Sequence, residues 1–349
     1  MIIRQASQPD ACRWNSYVHQ HQQATPYHLF AWGQAVKAAY GFETYHFLAE
    51  ENNNICGILP LILFKLPFRR GSLVSQPYCD ISSLLADTPL IEKQLFDKVM
   101  TIGQNIKVKT IELRGGAATT AFKPATFPVQ DKTDKVRMLL ELPGSSEELL
   151  QSFKSKLRSQ IRKAEKNGLT FQFANSDLID EFYLVFRQNM KDLGSPVHSK
   201  KWFEQIIKHF GDAAKIGMVY KKDIAIGAGI ILRVGNKISI PWASTLREHN
   251  HLNPNMLLYW NFLKFAADNG CHTFDFGRST PGEGTYRFKA QWGAQPEPLT
   301  WHKIYLQGQP LNGISDSVNK RALIERAWQK LPLGLANLLG PIIRKYISL

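Results

Sequence analysis

The chain has 349 residues, 44% hydrophobic and 21% charged, with a formal net charge of +14. That length exceeds one ordinary core and points to two domains, and the composition excludes a disordered chain. The longest apolar run, 55–64, is interrupted by Gly57 and Pro60. It falls far short of the roughly 20 residues a membrane-spanning helix needs, so a spanning protein is excluded.

The first residues, MIIRQASQPDACRW, show no basic region followed by an apolar block, so no secretory signal is expected. Residues 32–39 read as a helix. Residues 43–49 and 54–64 read as two strands joined across a polar turn. A helix is predicted over 91–106 and short strands over 109–113 and 137–142. Pro143-Gly144 then opens a new unit, with Ser145 or Ser146 as the cap of a helix carrying Glu148 in its first turn. This unit reads as helix 146–167, strand 170–174, helices 178–192 and 200–209, and strands 215–220, 224–234 and 237–243. Helix 254–269 and strands 273–276 and 300–306 complete it. In the tail, 316–331 reads as a polar helix. Leu331, Leu335, Leu338, Ile342 and Tyr346 then recur at helical spacing beside Lys330, Arg344 and Lys345. Packing of this stripe on the body is the preferred reading, and a helix lying in a membrane surface is the alternative. Pro341 is expected to interrupt it.

Helices, a strand meander, a further helix and a further strand resemble the acetyltransferase-type α/β fold, the GNAT fold. The first half reads as a worn second copy. The expectation is an α/β chain of two tandem GNAT-like domains, 1–145 and 146–306, with mixed sheets flanked by helices and a helical tail, 307–349.

The densest chemistry lies in FDFGRSTPGEGTYRFKAQWGAQPEPL, 274–299. A short strand runs into a glycine-punctuated return bearing Asp275, Arg278, Glu283, Tyr286, Lys289 and Trp292. Arg278 and Lys289 can hold an anion or a developing oxyanion. Tyr286 and Trp292 read equally as pocket walls or as core. In 151–169, Lys154, Arg158, Arg162 and Lys166 follow one another at i, i+4 on a helix face. That face can bind phosphates of a nucleotide-linked substrate or RNA, or can simply be solvated, with Arg158 and Arg162 bracing the neighbouring sheet. In 188–203, Asp192 and His198 are the acid–base candidates, and His198 more readily lines a pocket than acts as a base. Asn253-Pro254 begins a helix whose N-terminus suits a phosphate or carbonyl oxygen. Acetyltransferases of this fold seat the coenzyme A pyrophosphate there on a glycine-rich turn, and 247–253 contains no glycine. In 68–87, Arg69-Arg70 and Asp80 are candidates for the far wall of a shared cleft. The four cysteines lack metal-ligand spacing, so no metal is expected and a cytoplasmic location is. The positive charge favours a polyanionic partner.

Taken together, 151–169, NMKDLGSPVHSKKWF and the 274–299 segment resemble the FemAB family of acyl and aminoacyl transferases. The nearest likeness is to the subgroup associated with exosortase and exopolysaccharide systems, and it also takes in SQPYCD and LPLGLANLLGP. The resemblance implies two GNAT-like domains with a cleft between them. It implies a Phe-Lys pair at the reaction centre, which Phe288-Lys289 matches, and a charged helix opening the second domain, which 151–169 matches. No long helical insertion of the tRNA-using members is seen. The implied activity is N-acyl transfer from a donor co-substrate, acyl-CoA or aminoacyl-tRNA, to an amine of a nucleotide- or lipid-linked glycan or cell-envelope precursor. No permanently bound cofactor is expected. Lys289, helped by Arg278, is expected to stabilise the oxyanion, with Asp275, Asp80 or His198 taking the proton. Phe288, Tyr286, Trp292, Asp80, His198, Arg158 and Arg162 are the candidate substrate contacts. The rival readings are a non-catalytic basic scaffold at the membrane, with peripheral contact through the tail, and an RNA-binding protein.

Overall fold

A computed structural model describes residues 1–116, 127–308 and 323–348. The first half contains β1 (Ile2–Gln5), α1 (Ala11–Gln20), α2 (Phe30–Tyr40), β2 (Glu43–Thr44), β3 (Phe47–Glu51), β4 (Asn54–Leu59) and β5 (Ile62–Phe64). It continues through β6 (Ser72–Val74), β7 (Leu85–Ala86), α3 (Pro89–Asn105), β8 (Thr110–Gly116), β9 (Val129–Lys132) and β10 (Val136–Glu141). The second half runs α4 (Ser146–Ser152), α5 (Ser155–Lys166), β11 (Leu169–Ala174), α6 (Ile179–Asp192), α7 (Lys200–Phe210), β12 (Ala214–Lys221), β13 (Ile224–Val234) and β14 (Lys237–Thr245). Then follow α8 (Pro254–Asp268), β15 (Thr273–Ser279), α9 (Gly284–Ala290), β16 (Gln295–Tyr305) and, in the tail, α10 (Leu333–Arg344).

Two sheets carry the fold. One has the order β1-β3-β4-β7. The other runs β11-β12-β13-β14-β15-β10-β16-β8-β6-β5-β2, with β9 on β16. The long sheet passes through both halves because each lends the other a strand. β10, from the first half, lies between β15 and β16. β16, from the second, pairs with β8 from Leu299 to Tyr305. Within the second half β14 and β15 are parallel only from Lys237↔Thr273 to Ser239↔Asp275, and then separate. A crevice beyond the carboxyl ends of diverging strands is where α/β sheets bind ligands.

Aromatic packing fastens the halves. Trp32 of α2 stacks on Trp242 of β14 at 6.0 Å and meets Trp202 of α7 edge-on at 5.3 Å. All three belong to one buried cluster drawn from both halves. A second cluster lies between α4, α5, α8 and the sheet, and a third under α3.

Three local expectations are corrected. The helix expected over 146–167 is two helices, because Phe153 and Lys154 take extended ψ values of 144° and 148°. The break sends the Phe153 ring into the core against Trp292 and Trp260. The return after β15 is not all loop, since 284–290 is helical. Pro341 does not stop α10, which runs on to Arg344. The polar helix expected over 316–331 lies partly outside the described residues. Of its remainder, 323–329 is helical.

Candidate functional site

β15 carries a bulge at the place where the two halves share strands. Leu139 faces Asp275 and Arg137 faces Arg278, so Phe276 and Gly277 together oppose one residue of β10. Gly277 has φ +74°, a left-handed value that glycine takes without strain. The bulge interrupts the side-chain alternation of the strand. It turns the Arg278 amide toward Asp80, whose Oδ2 accepts it at 3.0 Å. It also directs the carbonyls of Gly277 and Arg278 to one point, where Lys289 Nζ donates to them at 3.0 and 2.8 Å.

Around this point four ionisable groups converge. Asp275 is buried, accepts from the Gly277 amide at 2.7 Å and lies 3.8 Å from Arg137. Burial raises its pKa, with Asp80 adding to the effect and Arg137, the Gly277 amide and Lys289 opposing it. Lys289, 8% exposed, is pushed down to about 8 by burial, against the attraction of Asp80 and Asp275. Asp80 approaches Arg278 Nε at 3.5 Å, and its carbonyl accepts from Trp301 Nε1 at 2.9 Å. Two guanidiniums lie over the Trp301 ring, Arg114 at 4.4 Å and Arg278 at 5.5 Å from its centroid. Asp275 opens onto a cavity of about 170 Å³ that reaches Thr25, Arg137, Lys237 and Ser239. Here a loop of the first half meets strands of the second.

The structure thus brings Lys289, Arg278, Asp275 and Asp80 together across the junction. It places the other candidates elsewhere. Phe288 packs on Tyr259 at 5.0 Å, and Trp292, 1% exposed, lies in the same aromatic cluster. Tyr286 is half-buried against that cluster. His198 is buried among Tyr40, Tyr78 and Trp202, and its Nδ1 meets the Tyr40 hydroxyl at 2.6 Å. Burial holds its pKa well below the ordinary histidine value. Asp192 accepts instead from Gln188. Arg158 donates to the carbonyls of Gln151 and Phe153, closing the end of α4, while Arg162 is exposed on α5. Arg69 and Arg70 are exposed on the β5–β6 loop.

Sequence reasoning missed Tyr27, Arg137 and Trp301. Tyr27 is buried where the charges of Asp275 and Asp80 add to burial in raising its hydroxyl pKa. Only the Thr25-Pro26 turn before it hinted at a fixed position. Arg137, ion-paired with Glu297 at 2.7 Å, was hidden in a strand pattern. The loop carrying Asp80 also holds two non-glycine residues at positive φ, Gln76 at 57° and Tyr78 at 68°. The buried Gln76 side-chain amide has no hydrogen-bond partner among the described residues, and such features concentrate at functional sites.

A second half with a meander, diverging parallel strands and a following helix defines an acetyltransferase-type domain, and residues 151–290 match the family model described as an acetyltransferase (GNAT) domain. Over 396 residues the chain is 19% identical to the lipid II:glycine glycyltransferase of Staphylococcus haemolyticus (strain JCSC1435), covering 88% of this chain and 94% of that protein. Among solved structures, FemX is matched over 93% of this chain and 100% of its own, with a TM-score of 0.68 and 14% identity. L-PGS from Bacillus licheniformis is matched over 93% of this chain and 98% of its own, with a TM-score of 0.57 and 11% identity. A tandem GNAT protein from the clavulanic acid biosynthesis pathway is matched over 88% of this chain and 98% of its own, with a TM-score of 0.54 and 10% identity. These likenesses establish the fold as two GNAT-like units in tandem.

Proposed function

We propose that this protein is a Fem-type N-acyltransferase that moves an aminoacyl or acyl group from an activated donor to an amine of a cell-envelope precursor. The observation that carries the reading is the convergence of Lys289, Arg278, Asp275 and Asp80 on a glycine bulge between the halves. Similarity to a lipid II:glycine glycyltransferase along nearly the whole chain supports it.

In this reading an acceptor ammonium gives its proton to Asp275, whose raised pKa suits a base. The free amine attacks the donor's ester or thioester carbonyl, forming a C–N bond and a tetrahedral oxyanion. Lys289 spends two of its three N–H groups on backbone carbonyls and keeps one for that oxyanion. Arg278 adds charge from the rim. Collapse breaks the acyl–oxygen or acyl–sulfur bond, the proton shed by the newly acylated nitrogen passes to the departing oxygen or sulfur, and the donor leaves as its alcohol or thiol.

Aminoacyl-tRNA is the first donor to test. Where a glycine-rich turn would present amides to a pyrophosphate, 247–252 forms a 3-10 helix, and Asn253 provides no side-chain cap to α8. Basic α5 ends beside that turn, with Asn167 Nδ2 donating to the Leu252 carbonyl at 3.1 Å. Lys154, Lys156, Arg162, Lys163 and Lys166 stand exposed along it, a face suited to a phosphate backbone. Exopolysaccharide precursors belong in the acceptor panel because of the resemblance noted above. The experiment presents charged tRNA or acyl-CoA with nucleotide- and lipid-linked glycan amines and follows the mass of the acceptor. A mass gain that requires Lys289 and Asp275 supports the reading. No transfer from either donor class to any acceptor, with salt-sensitive binding retained, supports the scaffold instead.

A further inference from the structure

We infer that the C-terminal helix and the β5–β6 loop form one docking surface for an anionic lipid bilayer, a role apart from the transfer site. Of the stripe expected to pack inward, Tyr346 packs against the core beside Phe42, but Leu335, Leu338 and Ile342 do not. α10 contacts the body through its small residues: Ala336 is buried, and a Cβ on Gly340 would lie 2.9 Å from Val197. Its large apolar side chains face outward, with Leu338 67%, Ile342 60% and Leu335 42% exposed.

This is not an undocked arm. The tail beyond α10 is tied down where the Tyr78 hydroxyl donates to the Lys345 carbonyl and the Tyr78 amide to the Ser348 carbonyl, both at 2.6 Å. Arg114 donates to the Ser348 carbonyl and hydroxyl at 3.1 and 2.9 Å. The outward apolar face is therefore held in place by the fold.

A second element presents the same chemistry beside it. Phe68, at the tip of the β5–β6 loop, is fully exposed among the exposed Lys65, Arg69 and Arg70. Lys65, Leu66 and Pro67 line one groove of about 370 Å³ with Lys345 and Tyr346. Loop and tail thus adjoin. Charge selects the occupant. Between Arg326 and Ser348 the chain has four basic residues, Arg326, Lys330, Arg344 and Lys345, and no acidic one. Arg344 turns onto the Tyr78 ring and Glu43 lines the shared groove, but the exposed Lys65, Arg69, Arg70 and Lys330 outnumber that one acid, and an apolar stripe flanked mainly by cations is the pattern of a helix lying in the headgroup region of an anionic membrane. Among the described residues no helix is long and apolar enough to cross one, so the contact is peripheral.

The test is sedimentation of the full chain with vesicles of phosphatidylglycerol and phosphatidylcholine, or of phosphatidylcholine alone. Wild type should bind the anionic vesicles at least about tenfold more tightly than the neutral ones, and raising the salt should weaken binding. Leu338→Glu/Ile342→Glu and, separately, Phe68→Ser/Arg69→Glu should each lower that affinity about tenfold or more. Their thermal unfolding should stay unchanged, because every altered side chain is exposed. Wild-type affinity in both variants, or no preference for anionic vesicles, overturns the inference. So does concentration-dependent self-association of wild type, abolished by L338E/I342E, in a protein that ignores vesicles. That result would assign the face to a second copy of the chain. Vesicle binding is read without acyl transfer, so its failure leaves the catalytic proposal standing, and the converse holds.

Discussion

Replacing Lys289 with methionine probes the site through its one strongly perturbed cation. Burial lowers the ammonium pKa to about 8 from its ordinary 10.5, although Asp80 and Asp275 pull the other way. Between those values the unfolded chain holds a proton that the folded chain has released. Stability therefore rises with pH through this window and is lost again as pH falls to about 8. Linkage sets the penalty of the buried charge at about 3 kcal/mol at neutral pH, of which about 2.5 kcal/mol is regained by pH 10. Lys289→Met removes that term but leaves the Gly277 and Arg278 carbonyls without their donor, a cost of about 1–3 kcal/mol. At pH 7 the two effects nearly offset, so the variant should unfold at a urea concentration close to that of wild type. At pH 10 it should be the weaker by about 2.5 kcal/mol more than at pH 7. Titrating groups away from Lys289 cancel in the difference between the two proteins, and the carboxylates beside it titrate below this window. A difference flat with pH to within about 0.5 kcal/mol would refute the buried, depressed ammonium. Turnover should fall about a hundredfold or more, as when one oxyanion donor is removed. Normal turnover in a folded variant would take Lys289 out of the chemistry.

The pH dependence of turnover should be bell-shaped. It should rise as Asp275 loses its proton above the ordinary carboxylate range and fall as Lys289 loses its charge near 8, with the rising limb absent in Asp275→Asn. Gly277→Ala should cost about 1–2 kcal/mol of stability, since the residue sits at φ +74°. Its turnover should drop more than tenfold because the carbonyls that hold Lys289 shift; unchanged kcat would show that the bulge does not aim the lysine. Arg162→Glu/Lys166→Glu should weaken tRNA binding and lower its salt slope by about 2 while leaving the rate with a small thioester donor alone, and equal effects on both donors would argue against a phosphate face. Trp32→Ala, at a wholly buried ring between the halves, should lose about 3–5 kcal/mol in urea unfolding.

Much of the fold is written in local pattern. Strand 224–234 was legible to the residue, and α6, α7 and α8 to within one or two, because apolar periodicity and caps such as Ser199, which accepts from the Trp202 amide, act over a few residues. The broken helix at Phe153 was not legible, because long-range packing of its ring against Trp292 and Trp260 overrides local propensity. The outward stripe of α10 was misread for a related reason. A 3.6-residue period marks an apolar face but does not say what covers it, and here the small residues Ala336 and Gly340 win the contact. At the site, Lys289, Arg278 and Asp275 lie within fifteen residues of one another and were found from the segment alone. Asp80 is legible as a cleft wall and one of three candidate bases, but not as the partner of Arg278, and Tyr27 is not legible at all.

That last difference follows from how the halves are joined. Had each half closed its own sheet, the bulge on β15 would face residues of its own domain, and the groups opposing Lys289 would lie nearby in sequence. Exchange of β10 and β16 instead sets the edge of β15 against a strand from the other half. The Asp80 loop is held there by the Arg278 amide and by Trp301 of the exchanged β16. The two carboxylates flanking the lysine therefore come from positions 80 and 275, and their charges meet only when both exchanges are complete. The ammonium's surroundings are consequently drawn from long-range pairings, which no window along the chain can display. It also follows that a substitution loosening the Trp32–Trp202–Trp242 contact should disturb the Lys289 pKa without touching any residue of the site, since that contact packs the two lending halves against each other.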